Sequence, residues 1–120
     1  MPEPDLLRIL PEGPAETGRP PAGRVLAGDP VFTTCNHEAR AGLWCGVWEC
    51  TPGRWRVAYD EWEYCRILSG VSVVTRDGSP PVTLRAGDSL VIRPGFAGVW
   101  EVVETTRKDY VILEPAPPPG

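Results

Sequence analysis

Trp62-Glu63-Tyr64-Cys65-Arg66-Ile67-Leu68-Ser69-Gly70 is the stretch whose reading decides the fold. Side chains alternate across a β-strand, so Glu63, Cys65 and Ile67 share one face while Tyr64, Arg66 and Leu68 share the other. Ser69-Gly70 then reads as a turn. The strand thus carries a carboxylate and a thiol toward whatever lies inside. Further along, Gly87-Asp88-Ser89-Leu90-Val91-Ile92-Arg93-Pro94-Gly95-Phe96 sets a short apolar run between Gly87-Asp88 and Pro94-Gly95, the pattern of a buried strand between tight turns.

Working outward, strand signals follow one another closely. Residues 44–50 place Trp44 and Trp48 on one face, and Thr51-Pro52-Gly53 is a turn. Residues 54–59 alternate cleanly, with Trp55, Val57 and Tyr59 facing the apolar side. After the central stretch come 71–75, a hairpin signal at Asp77-Gly78, then 82–84, 90–92, 99–103 and 110–113. About eight strands result, and no segment sustains a helical period. The fold class is therefore all-β and antiparallel, one barrel or sandwich.

The organisation read from composition is a Pro/Gly-rich arm over 1–30, one domain over 31–114 and a Pro-rich tail over 115–120. Leu6-Leu7-Arg8-Ile9-Leu10 is the apolar patch of the arm and suits an edge strand or a partner subunit. Residues 31–41 read as a polar connection holding the only histidine, His37, which is expected at the surface.

With 120 residues there is room for one core, and 13 Gly and 15 Pro favour many short strands over long helices. The net charge of −4 and the scattered basic residues argue against nucleic acid or an anionic membrane as partner and leave small molecules and other proteins. Cys35, Cys45, Cys50 and Cys65 lack zinc-site spacing, and the acidic, proline-containing start does not read as a secretory leader. The thiols are expected to be reduced and the protein cytoplasmic.

The two stretches that open this reading resemble the two sequence motifs of the cupin superfamily. Trp48-Glu49-Cys50-Thr51-Pro52-Gly53, Trp62 to Gly70, Gly87-Asp88, Pro94-Gly95-Phe96 with Gly98, Trp100-Glu101-Val102, and Glu104 with Arg107-Lys108 and Tyr110 together resemble one branch of it. That branch is the small single-domain family named for the (S)-ureidoglycine aminohydrolase cupin domain, also met in ethanolamine-utilisation cupins. The resemblance implies a cupin-type jelly roll. Glu63 and Gly70 match the second half of the first motif, but the motif's metal-binding histidines fall on Val57 and Tyr59, or on Arg56 and Ala58 in the alternative register. The last one falls on Gly98. A transition metal needs several imidazoles, so no metal or other cofactor is expected, with Cys65, Glu63 and His37 as the residues of an unconventional alternative.

The expectation is a homodimeric protein that binds a small molecule in its barrel. Glu63 and Cys65 are the catalytic candidates, as acid–base group and nucleophile. Tyr59, Trp55, Trp100 and Lys108 are the ligand-binding candidates, and Lys108 is also a partner for Glu63. The alternatives are an aminohydrolase, isomerase or lyase built on Glu63, and a structural or regulatory dimer with a filled barrel.

Overall fold

The computed structural model describes residues 5–10 and 13–115. Nine strands, all paired antiparallel, make one curled sheet. They are β1 (Glu16–Gly18), β2 (Val25–Gly28), β3 (Phe32–Arg40), β4 (Leu43–Cys50), β5 (Gly53–Ala58), β6 (Trp62–Arg76), β7 (Val82–Arg85), β8 (Ser89–Ile92) and β9 (Ala97–Leu113). The helical content among the described residues is a single 3-10 turn, Ala22–Arg24. This is the antiparallel jelly roll expected from the sequence, and no described helix is long and apolar enough to cross a membrane.

Two long strands, β6 and β9, run side by side through the whole molecule and belong to both of its halves. The first half of β6 pairs with β8 and with the end of β9, as in Glu63 opposite Ile92 and Ile112. Its second half pairs with β7 and with the start of β9, as in Val74 opposite Val82 and Trp100. On the other edge of β9, β4 lies along residues 106–113 and β5 along 97–102. One half of the barrel is therefore β8-β6-β9-β4-β3-β1 and the other β7-β6-β9-β5-β2.

The bend between halves falls at one level in all the strands that cross it. β4 and β5 are separated there by Thr51-Pro52, and a proline cannot donate to a ladder. In β6 the register shifts between Ile67 and Ser72, and Gly70 takes φ +88°. A Cβ at Gly70 would collide with the Thr105 carbonyl oxygen, so the backbone demands glycine twice over. The irregularity also exchanges the faces of β6: Glu63, Cys65 and Ile67 point inward before it, Ser72 and Val74 after it.

Several local expectations are corrected. Ser69-Gly70 is a bulged bend inside β6 and not a turn, so the strands expected over 62–68 and 71–75 are one. The strands expected over 99–103 and 110–113 likewise merge into β9. Residues 31–41 are not a polar connection, because Phe32–Arg40 is a full strand between β1 and β4. Within the arm, Glu16–Gly18 and Val25–Gly28 pair with β3 and β5 as the outer strands of the two halves. Leu6–Leu10 has no regular structure; its Leu10 carbonyl accepts a hydrogen bond from His37 Nε2 at 2.7 Å. The expected tail lies outside the described residues beyond Pro115.

The core lies between the halves and takes residues from both: Cys50, Cys65, Ile67, Ile92 and Tyr110 meet Trp55, Val74, Leu84, Trp100 and Val102. Phe32, Trp48, Trp55 and Trp100 interlock with ring centroids 5.3 to 6.5 Å apart. A hydroxyl relay sets the last of these rings. Trp100 Nε1 donates to Ser72 Oγ at 3.2 Å, Ser72 lies 2.7 Å from Thr106 Oγ1, and Thr106 donates to the Glu104 carbonyl at 2.9 Å. Every polar group of the relay is satisfied, as burial requires.

Candidate functional site

The interlocked aromatics do not fill the barrel. A cavity of about 340 Å³ remains beside them, lined mainly by Trp44, Trp48, Trp55, Tyr59 and Trp100, with Glu63 and Lys108 as its charged residues. Its size is at the small end of ligand pockets, and its lining of aromatics with few polar groups is the usual kind. Thr34, Val57, Tyr110 and Ile112 complete the wall along β3, β5 and β9.

Alternation accounts for the placement of each group. On β9 the inward residues of the final half are Thr106, Lys108, Tyr110 and Ile112. Their cross-strand neighbours on β6 are Ile67 for Lys108, Cys65 for Tyr110 and Glu63 for Ile112. Glu63 and Lys108 are therefore not opposite one another, and the long lysine stem spans the offset. Lys108 Nζ reaches Glu63 Oε2 at 2.7 Å, with both residues buried, 5% and 3% exposed. The ammonium also sits 4.5 Å from the Trp48 ring centroid and 4.4 Å from that of Trp100. Trp48 belongs to one half of the barrel and Trp100 to the other, so this cation ties the halves together through its two aromatic faces.

Tyr59 follows β5 and is fixed by backbone hydrogen bonds to Phe96 and Gly95, with its ring edge-on to Phe96 at 5.9 Å. Burial, and then the negative charge of Glu63 with its hydrogen bond to the phenol, push the Tyr59 hydroxyl well above its ordinary range. It stays protonated and serves as a donor. Tyr110 donates to Asn36 Oδ1, and burial raises it to about 12.

The candidates named from sequence fare as follows. Glu63, Tyr59, Trp55, Trp100 and Lys108 come together on one cavity. Cys65 shares the inward face of β6 with Glu63, but it is wholly buried and does not line the cavity. Its thiol is pushed up by burial, against the lowering pull of Lys108. His37 lies away from them on β3. Sequence reasoning left out Phe32, and it placed Trp44 and Trp48 on one face without naming them among the binding residues, although both line the cavity. It also passed over a compositional signal: of twelve basic residues, Lys108 is the only lysine.

A cupin fold raises the question of a metal, and the residues here do not fit one. Among the described residues Glu63 is the only carboxylate on the cavity, and a cation of the protein already holds its oxygen at 2.7 Å. Val57 and Tyr59 stand where imidazoles would project. At Gly98 a Cβ would collide with the Thr75 carbonyl oxygen, so no histidine enters that position without moving the backbone. Among the described residues no three of His, Cys, Asp and Glu are grouped to hold an ion.

The family model of the EutQ-like cupin domain matches residues 38–110. A DUF861-family protein of unknown function from Pseudomonas syringae superposes with a TM-score of 0.78 at 18% identity, over 87% of this chain and 46% of that one. The EutQ protein of Clostridium difficile does so with a TM-score of 0.63 at 21% identity, over 70% and 63%. A DUF861-family protein from Thermotoga maritima is 31% identical over 53% of this chain and 73% of its own, with a TM-score of 0.51. The chain thus spans about half the length of the first and less than two thirds of the second. No curated protein matches the sequence.

Proposed function

The chain belongs to the EutQ-like cupin domain family, and from that premise we propose that it binds a small, flat carbonyl compound in its barrel. The observation that carries this reading is the open cavity with a buried ion pair in its wall. Aromatic faces on both halves of the barrel suit a flat body, and the polar groups cluster at one place. Lys108 Nζ and the Tyr59 hydroxyl offer donors to a carbonyl oxygen, and Glu63 accepts from an adjacent N–H or O–H. Amides, ureides and carboxylic acids share that edge. The ureides enter the class also through the likeness of the 48–110 motifs to the ureidoglycine aminohydrolase-type cupin domain. The remaining void favours a binding module over a solid structural barrel. Four free thiols, three of them buried, go with a reducing, cytoplasmic setting.

Tryptophan fluorescence tests the proposal directly, because four of the five tryptophans, Trp44, Trp48, Trp55 and Trp100, lie against the ligand space. Benzamide and small cyclic ureides are expected to change the emission saturably and raise Tm, and sugars are expected to do neither. Tyr59→Phe removes one donor without changing the ring, and affinity should fall by roughly fivefold, about 1 kcal/mol. If no planar carbonyl compound changes emission or Tm at millimolar concentration, the reading fails.

A further inference from the structure

The chain places its basic residues by type. Ten of its eleven arginines are exposed and Arg107 is half-buried, while the single lysine is buried in the cavity wall. Surface ion pairs are made by arginine, as in Arg56 with Asp77 and Arg107 with Glu49. At the cavity stands the one basic side chain able to give up its proton and become a nucleophile, since a guanidinium does not deprotonate in proteins. A carboxylate oxygen lies 2.7 Å from its nitrogen, within reach of that proton.

We propose that Lys108 captures small aldehydes or ketones as a protonated imine inside the cavity, with Glu63 carrying the protons. This rests on the binding reading above and narrows its ligand class to carbonyls that an amine attacks. The Lys108 ammonium first passes a proton to Glu63. The freed amine pair then attacks the carbonyl carbon: the N–C bond forms, and the C=O π pair moves to oxygen, which takes the proton back from Glu63. The nitrogen of the adduct loses a second proton to Glu63. Its pair forms the C=N bond as the hydroxyl leaves, taking that proton as water. The nitrogen keeps its third proton, so the product is already the iminium cation. In sum, ammonium and carbonyl compound give iminium and one water, with Glu63 returned as carboxylate and no oxidant or reductant. The cage suits the product as it suits the ammonium: the positive charge keeps its carboxylate and both indole faces, now 4.4 and 4.5 Å from the nitrogen. The Tyr59 hydroxyl, which keeps its proton, is a second donor beside Glu63.

A single lysine makes the test clean. The folded, full-length protein is incubated with benzaldehyde and sodium cyanoborohydride, and the product is mapped by peptide mass spectrometry. One benzyl group on Lys108 is expected. Benzamide, which fits the same class but forms no imine, should protect Lys108 by tenfold or more at saturation. Glu63→Gln should slow labelling on the order of a hundredfold, and Lys108→Arg should abolish it. Breaking one member of a buried pair threatens the fold, so Glu63→Gln/Lys108→Met, which leaves no lone charge, is the second blank. Labelling confined to the α-amino group overturns the proposal, as does labelling of Lys108 that benzamide does not reduce. If benzamide changes tryptophan emission saturably while Lys108 stays unlabelled, capture fails and binding stands. If neither occurs, both fall.

Discussion

Lys108 and Glu63 show how far a single pair of side chains conditions the rest. Two charges withdrawn from water cost free energy that their mutual contact, the indole faces and the Tyr59 phenol return. Removing one is therefore worse than removing both. Lys108→Met should destabilise the fold by about 3–5 kcal/mol, because it leaves Glu63 buried without its cation. The double variant Glu63→Gln/Lys108→Met should recover most of that loss. Urea denaturation of the two single variants and the double closes the cycle, and additive effects would show that the pair is not coupled. Part of this site is legible in the sequence. Two-residue alternation puts Trp55, Val57 and Tyr59 on one face and Glu63 with Cys65 on another, and both prove to be inward. What alternation cannot supply is the meeting of Trp48 with Trp100 across the barrel, or the offset that makes a long lysine the partner of Glu63. Those follow from which strands flank β9, a fact about pairing and not about any local pattern.

At the level of elements, the bend through β6 decides whether the two halves can face each other. Gly70 holds φ +88° with no space for a Cβ beside Thr105. Gly70→Ala must accept a left-handed backbone and push the β9 backbone aside, at an expected cost of about 3 kcal/mol or more. Thermal unfolding followed by circular dichroism measures it, and an unchanged Tm would mean that the bend lies elsewhere. The same residue explains a misreading. Ser-Gly after an alternating run is the ordinary signature of a turn, and a bulge inside a continuous strand uses the same chemistry. β3 escaped for a related reason. Its apolar residues Phe32 and Cys35 are three positions apart and so out of two-residue step, and its register slips further along, between Asn36 and Glu38. Strands of unbroken register, such as β5 and β8, are the ones the sequence shows plainly.

Over the whole molecule, the interior is rich in acids that fold in their neutral form, and this sets a pH limit to stability. Burial raises Cys50 from its ordinary 9.0 to about 12 and Tyr110 from 10.0 to about 12. Cys65 is also raised, and Tyr59 lies well above its ordinary range. In the unfolded chain these groups lose their protons from about pH 9 upward, while the folded protein keeps them. Above that pH the unfolded state binds fewer protons than the native one, so stability falls as pH rises. The contribution is fully present below pH 9 and is lost progressively toward pH 12. Thermal unfolding between pH 8 and pH 12 should therefore show Tm level at first and then falling steadily, without added reductant altering the shape. Cys50→Ala and Tyr110→Phe each remove one of the titrating groups. The combined variant should start from a lower Tm, because packing is lost, yet descend less steeply with pH. An equally steep descent would show that Cys50 and Tyr110 do not set the alkaline limit.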